Sequence, residues 1–197
     1  ISLKRRLDDE AAGRIRMLPT PWPTFNYGFS GGFGPESLTA FVGVGGSAKT
    51  WIILQVCLHA FLNGWKWAYW PLELNAEYTA RRLLTVLVND WRAMEVGRKE
   101  NPDFLNDGEV FEAMAKLTDC IEPKPAQLTV DAQGRVVMSD SSCDFVADRL
   151  HELCMTRDLV VLDPLTMVGF DEPGKAEWQT QTRFVQRLAA IRDATRS

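Results

Sequence analysis

Apolar positions along the chain follow two patterns that alternate with each other. Runs rich in apolar and β-branched residues at 38–42, 67–72 and 159–163 predict short buried strands. Between them, apolar residues recur every three or four positions, as expected for helices with one buried face. Such helices are predicted over residues 48–62, 75–96, 109–117, 141–155 and 176–194. The alternation predicts an α/β fold of three layers, in which a mainly parallel sheet lies between helices.

Residues with strong positional preferences indicate where some helices begin and where others cannot continue. Asn75 is a predicted N-cap, and Ser141 with Asp144 three residues later has the spacing of a capping box. Pro21 and Pro23 are expected to interrupt any helix that enters from the N-terminal side.

Turn chemistry suggests the organisation of the remaining segments. The glycine-rich residues 29–36 predict a tight reversal, and residues 128–138 predict a hairpin. We therefore divide the chain into a charged linker or helix at residues 1–18 and one domain at residues 19–197.

Composition narrows the class of protein. The 197 residues carry a net charge of −4 and are 46% hydrophobic and 24% charged, as in ordinary globular proteins. No apolar run approaches the roughly 18 residues of a membrane span, and the first ten residues are too charged for a signal peptide. The four cysteines lack metal-type spacing. Free thiols without an export signal predict a cytoplasmic protein that has no membrane partner.

The segment after the first predicted strand is rich in glycine and ends in Lys-Thr. Such a strand–loop–helix arrangement fits the P-loop pattern, in which backbone N–H groups and the helix N-terminus surround phosphate oxygens. Lys49 would meet the β- and γ-phosphates, and the Thr50 hydroxyl would bind Mg²⁺. We expect ATP with Mg²⁺ as the ligand, held by Gly43, Val44, Gly45, Gly46, Ser47, Ala48, Lys49 and Thr50.

Ala48 departs from this pattern, because it stands where the P-loop has its second glycine. A Cβ at this position can intrude on the close approach of backbone and phosphate. Two alternatives therefore stay open: weakened nucleotide affinity, and a glycine-rich turn that binds no ligand.

Two carboxylates lie at the carboxyl ends of predicted strands. Parallel sheets in α/β proteins bind their ligands at these ends. Asp163 ends an apolar strand as a Walker B aspartate does, and is predicted to hold Mg²⁺ through a coordinated water. Glu73 follows the strand at 67–72. The alternatives are a turn aspartate beside Pro164 and a surface ion-pair partner at Glu73.

Residues 70–84 resemble a signature of the DnaB-type replicative helicases, which belong to the RecA-like ATPases. Residues 20–33 resemble the segment that leads into the P-loop of that family, with Asn26 in place of the usual aspartate. The pattern is similar in plasmid RepA-type helicases and, more loosely, in the KaiC and RadA groups. The resemblance covers residues 20–170 at the level of motifs. In residues 70–84 the matching positions are Leu72, Glu73, Leu74, Ala76, Glu77, Arg82 and Leu84.

The resemblance implies that residues 19–197 are a RecA-like ATPase core, with Lys49 and Glu73 as catalytic residues. Glu73 would orient and deprotonate the attacking water. It also implies a homo-oligomeric ring, a hexamer in the helicases, that acts on single-stranded DNA in replication. Family members continue into another strand, DNA-binding loops and an arginine finger, so an incomplete C-terminus is expected. The candidates for contacts with a neighbouring subunit are Arg183, Arg187 and Arg192 on the last predicted helix.

Two other functions remain open at this stage. The first is a RecA- or KaiC-like ATPase that acts in recombination or regulation without unwinding DNA. The second is a nucleotide-binding loader or scaffold that hydrolyses ATP weakly, which Ala48 favours and the two carboxylates disfavour.

Overall fold

The computed structural model describes residues 4, 8–9, 11–89, 108–123, 129–130, 136–137, 142–170 and 176–195. Its strands are β1 (Trp67–Pro71), β2 (Thr129–Val130), β3 (Val136–Val137) and β4 (Leu159–Asp163). Its helices are α1 (Pro23–Gly28), α2 (Lys49–Leu62), α3 (Ala76–Val88), α4 (Gly108–Thr118), α5 (Cys143–Cys154) and α6 (Glu177–Ala194). A short 3-10 helix, Leu165–Met167, follows β4.

Strands β1 and β4 form a parallel two-stranded sheet, although they are far apart in sequence. Trp67 lies opposite Leu159, and the register runs to Pro71 opposite Asp163. A single parallel bridge joins Tyr69 to Ile121 on the other edge of β1. Because the strands are parallel, both carboxyl ends lie at one edge of the sheet. The predicted hairpin is confirmed by the antiparallel pair β2–β3, and its turn lies outside the described residues.

Helices pack on both faces of the β1–β4 sheet, because strand side chains alternate between the two faces. One core cluster joins Trp67, Tyr69, Leu159 and Val161 to apolar residues of α2, α3 and α4. The other joins the alternate strand positions to α5 and α6 and contains Trp70, Val160, Leu162, Val146 and Phe184. The predicted α/β class is confirmed, with a parallel sheet that has two strands in the described part of the chain.

The predicted strand at residues 38–42 is wrong in this structure, which assigns no strand to that segment. Its apolar side chains are largely outside the core: Val42 is 93% exposed and Leu38 is 51% exposed. A strand requires a partner for its backbone groups, and no described residue pairs with this segment. Phe41 alone makes an aromatic contact, edge-on to Phe33 at 6.2 Å between ring centroids.

One predicted boundary needs correction, and Pro23 has a further role. Among the described residues, no helix passes through Pro21 and Pro23 from the N-terminal side. Pro23 also begins α1, because proline lacks an N–H that the first helical turn would leave unpaired anyway. The N-cap of α5 is Ser142, one residue after the predicted Ser141, and its hydroxyl accepts from the N–H of Phe145. Asn75 is confirmed as the N-cap of α3.

Other predictions fall wholly or partly outside the described residues. Helix α3 is described to Val88, so the predicted extension from residue 90 to residue 96 lies outside. Residues 1–18, predicted to be a charged linker or helix, are described only in part, and Ser141 is not described.

The side chain of Asn26 forms hydrogen bonds within the segment that precedes the glycine-rich loop. The Asn26 side chain accepts from the backbone N–H and the hydroxyl of Thr20, each at 2.8 Å, and donates to the Thr20 carbonyl at 2.8 Å. An aspartate could make the first two bonds but has no proton for the third. Asparagine therefore makes one more hydrogen bond to Thr20 here than an ionised aspartate could.

Candidate functional site

The glycine-rich loop of residues 43–48 connects the exposed segment to α2, and its turn is built from left-handed backbone conformations. Gly46 has φ +76°, and the Ser47 N–H donates to the Val44 carbonyl at 3.3 Å. A Cβ on Gly43 would lie 2.6 Å from the Ser47 hydroxyl oxygen. The positive φ of Gly46 therefore favours glycine at that position, whereas a side chain at position 43 would require the Ser47 hydroxyl to move.

Lys49 directs its ammonium group back over this loop. The Nζ atom donates to the carbonyl oxygens of Gly43 at 2.7 Å and Val44 at 2.9 Å, and lies 3.4 Å from the Ser47 hydroxyl oxygen. All three bonds are exposed to solvent. The positive charge is therefore already placed beside the loop where the sequence predicts phosphate.

Ala48 is the N-cap of α2 and adopts the left-handed conformation, with φ 61° and ψ 19°. This conformation places Cβ too close to the following carbonyl oxygen and costs roughly 1–2 kcal/mol for residues other than glycine. The sequence argument for glycine concerned the approach of phosphate. The structure adds a backbone reason that holds without any ligand.

The first turn of α2 meets the carboxyl end of β4 through one hydrogen bond. The Thr50 hydroxyl donates to Oδ2 of Asp163 at 2.8 Å, across a separation of 113 residues. Thr50 and Asp163 are the two residues for which the sequence predicts contact with Mg²⁺. The structure brings them together.

Glu73 lies close in sequence to the same edge of the sheet. Leu72 extends the ladder beyond β1, since its N–H donates to the Asp163 carbonyl at 2.8 Å. Glu73 is the next residue, and its side chain is exposed. Its backbone is therefore fixed beside Asp163, at the sheet edge that also meets the first turn of α2.

Tyr69 also contacts Asp163, which sequence reasoning missed. Its hydroxyl donates to Oδ2 at 2.5 Å, although the residue lies within a strand whose members are all buried. Burial raises the pKa of the Tyr69 hydroxyl far above its ordinary value, and the charge of Asp163 raises it further. The only sequence signal was one polar atom inside an apolar run.

Arg82 on α3 contacts Trp51 on α2. Its guanidinium lies 5.5 Å from the ring centroid of Trp51, and its Nε is buried without a hydrogen-bond partner among the described residues. The same guanidinium partly opposes the rise in the pKa of Tyr69. A positive charge thus acts on the hydroxyl that bonds Asp163.

The groups at this edge fit Mg²⁺ with a polyphosphate better than a metal held by protein alone. Among the described residues no group of three or more His, Cys, Asp and Glu side chains could hold a metal. One hydroxyl and one carboxylate, Thr50 and Asp163, are instead adjacent. Mg²⁺ commonly takes one or two protein oxygens and completes its shell with phosphates and water.

The arginines proposed for contacts between subunits form ion pairs within the chain. Arg187 on α6 bonds the carboxylates of Asp144, at 2.6 Å, and Asp148 on α5. Arg183 lies 3.8 Å from Asp144, and Arg192 pairs with Asp193. None of the three is distinguished from the others as a residue that reaches a neighbouring subunit.

Two broader findings complete the description of the site. Within the described ranges, no helix is both long and apolar enough to cross a membrane. Comparison of the chain with family models, with curated proteins and with solved structures gives no match.

Proposed function

We propose that the protein is an ATPase that binds ATP and Mg²⁺ at loop 43–50 and hydrolyses the γ-phosphate. We propose further that it is the motor core of a ring-shaped DNA helicase of the DnaB/RepA type, with a RecA-like three-layer fold. The first proposal draws on residues that the structure describes. The second draws on the sequence resemblance.

The observation that carries the ATPase proposal is the hydrogen bond between Thr50 and Asp163. These residues come from two motifs recognised independently in the sequence, the P-loop and the Walker B strand. A carboxylate also stabilises a helix N-terminus without a ligand, but a ligand-free turn does not predict that this carboxylate comes from the Walker B position. The contact therefore favours a nucleotide site over that alternative.

The residues around this contact divide the chemistry of hydrolysis among them. The loop N–H groups and Lys49 bind phosphate oxygens and stabilise the charge that develops on them. Mg²⁺, when bound beside Thr50 and Asp163, would neutralise charge on the phosphates. Glu73 orients the attacking water and takes its proton, a role that contributes roughly 10²–10⁴-fold to turnover.

The exposed position of Glu73 is compatible with this role. A general base must reach a water molecule, and its backbone is anchored one residue after Leu72, which bonds Asp163. The matching segment 72–84, from Leu72 to Leu84, is also the strongest part of the helicase resemblance.

One observation favours a second function, that of a nucleotide-binding scaffold with little turnover. Ala48 is strained in this structure and carries a Cβ where the P-loop has glycine. Both effects disfavour tight packing of the loop around phosphate. Such a protein would bind ATP to fix an assembly, and hydrolysis would be slow.

Phosphate release by the full-length protein, with saturating ATP and Mg²⁺, tests the proposal. The measurement is made with and without single-stranded DNA, on the wild type, on Lys49→Ala and on the matched control Lys116→Ala. Lys116 is exposed and, among the described residues, pairs with its helical neighbour Glu112. We expect Lys49→Ala to lose phosphate release and Lys116→Ala to retain it.

The outcomes separate the candidate functions. Release that DNA stimulates supports the helicase proposal, and release that DNA leaves unchanged supports a RecA-like ATPase of another kind. ATP binding without release supports the scaffold. If the wild type does not bind ATP, or Lys49→Ala releases phosphate as fast as the wild type, the ATPase proposal is wrong.

A further inference from the structure

The carboxylate of Asp163 accepts a hydrogen bond from a second hydroxyl, which neither the P-loop pattern nor the Walker B pattern predicts. Tyr69 donates to Oδ2 of Asp163 at 2.5 Å, and Thr50 donates to the same oxygen at 2.8 Å. The two donors come from different elements, one from the sheet and one from α2. A single carboxylate oxygen is therefore held from two directions.

The position of the Tyr69 hydroxyl is fixed by its surroundings. The residue is 1% exposed and belongs to the core cluster that contains Leu54, Cys57 and Leu83. It lies opposite Val161, two residues before Asp163, so that both side chains are on the same face of the sheet. The phenol therefore has little freedom to leave the carboxylate.

The hydroxyl of Tyr69 is the donor in this contact, because an ionised carboxylate has no proton to give.

We propose that Tyr69 is a positioning residue that holds Asp163 in the orientation required for Mg²⁺ and so sets the Mg²⁺ requirement of nucleotide binding. This inference rests on the proposed function, since it assigns a role to a residue of the same site. Tyr69 acts through Asp163 and does not itself touch the nucleotide.

The carboxylate of an aspartate rotates freely unless hydrogen bonds hold it. The last side-chain torsion of aspartate has broad preferences, so an unrestrained carboxylate turns readily. Two donors on Oδ2 restrict this rotation, and no described side chain donates to Oδ1. Oδ1 is then the oxygen that accepts from a magnesium-bound water. Removing such outer partners typically weakens metal binding about 10–100-fold.

The test replaces the hydroxyl by hydrogen in Tyr69→Phe and titrates Mg²⁺ against a fluorescent ATP analogue. We expect the Mg²⁺ concentration for half-maximal binding to rise about 10-fold. Binding of the analogue in EDTA, without Mg²⁺, should equal that of the wild type. Tyr27→Phe is the matched control, since Tyr27 is 92% exposed and makes the same chemical change outside the core.

A double-mutant cycle with Asp163→Asn separates positioning from a general structural effect. If Tyr69 acts through Asp163, adding Tyr69→Phe to Asp163→Asn should change the Mg²⁺ requirement by less than twofold. A full additional 10-fold rise would overturn the inference. It would also be overturned if Tyr69→Phe kept the wild-type Mg²⁺ requirement, lost affinity equally in EDTA, or failed to fold.

These results are distinguishable from failure of the proposed function. If the wild type binds the analogue and Mg²⁺ strengthens that binding, the ATP site stands whatever Tyr69→Phe does. If the wild type binds no analogue, the ATP site and the role of Tyr69 are both wrong.

Discussion

The two halves of the candidate site differ sharply in how they are supported. The sheet half, formed by β1 and β4 with Tyr69 and Asp163, lies between two apolar clusters. The loop half, residues 38–50, has no strand, carries the 93% exposed Val42, and is held mainly by its own hydrogen bonds. The two halves meet where Thr50 bonds Asp163.

This difference suggests a division of labour. The sheet half keeps its geometry because many packed residues would have to move together. The loop half changes conformation at little cost, since few buried contacts oppose the change. A rigid carboxylate combined with an adaptable loop suits a ligand that has to enter, be held and leave.

The largest expected effect concerns the residue at the edge of the rigid half. Glu73→Gln should lower the rate of ATP hydrolysis about 10²–10⁴-fold, because the amide cannot accept the proton of the attacking water. Nucleotide affinity should remain within about twofold of the wild type, since the shape of the side chain is kept. Phosphate release and a fluorescent-nucleotide titration measure the two quantities.

Retained hydrolysis in Glu73→Gln would remove Glu73 from the catalytic role and leave the ATP site intact. The matched control is Glu77→Gln, four residues later on the exposed side of α3, where an ion pair with Arg81 spans one helical turn. This control should hydrolyse ATP at the wild-type rate.

Two side-chain truncations test directly whether core packing stabilises the sheet half more than the loop half. Leu83→Ala removes a side chain that is 0% exposed from the core of the sheet half and should cost about 2–5 kcal/mol of unfolding free energy. Val42→Ala in the loop half should change that free energy by less than about 0.5 kcal/mol, because its side chain lies in solvent. Urea denaturation of both variants measures the difference.

If the two truncations destabilised the protein equally, the exposed segment would be packed in solution and the contrast would be wrong. The structure would then have to place residues 38–42 in the core after all, as the sequence analysis predicted.

The smallest effect is expected at Ala48. Ala48→Gly should raise the unfolding free energy by up to about 1 kcal/mol, since relief of the left-handed strain outweighs the added chain entropy. It should also tighten nucleotide binding several-fold by letting phosphate approach the backbone. Denaturation and the same fluorescent titration report the two effects.

The control for Ala48→Gly is expected to change the unfolding free energy in the opposite direction. Ala80→Gly, inside α3, should lower the unfolding free energy by roughly 0.5–1 kcal/mol, because glycine is costly within a helix. Equal or weaker nucleotide affinity in Ala48→Gly would refute the steric argument, even if the stability changed as expected.

Much of the fold was predictable because local patterns determined it. The apolar runs at β1 and β4 identified the central strands, and the three-to-four spacing identified the helices. The exposed segment at 38–42 was mispredicted since its composition favours a strand, whereas a strand also depends on a partner that sequence alone does not supply.

The candidate site was predictable to the same extent. Lys49 and Thr50 belong to a motif with fixed spacing, and Asp163 ends an apolar strand, so the contact of Thr50 with Asp163 was expected. Tyr69 was missed because its partner lies 94 residues away and a tyrosine in an apolar run is usually a core residue. The left-handed backbone of Ala48 was missed because alanine rarely adopts this conformation, so the residue type did not indicate it.

The bonds of Lys49 to its own loop bear on the strength of the proposed phosphate binding. In the proposed ATP site, a phosphate that recruits the Lys49 ammonium would break its bonds to the carbonyl oxygens of Gly43 and Val44. The loss of these two bonds would reduce the net free energy of phosphate binding.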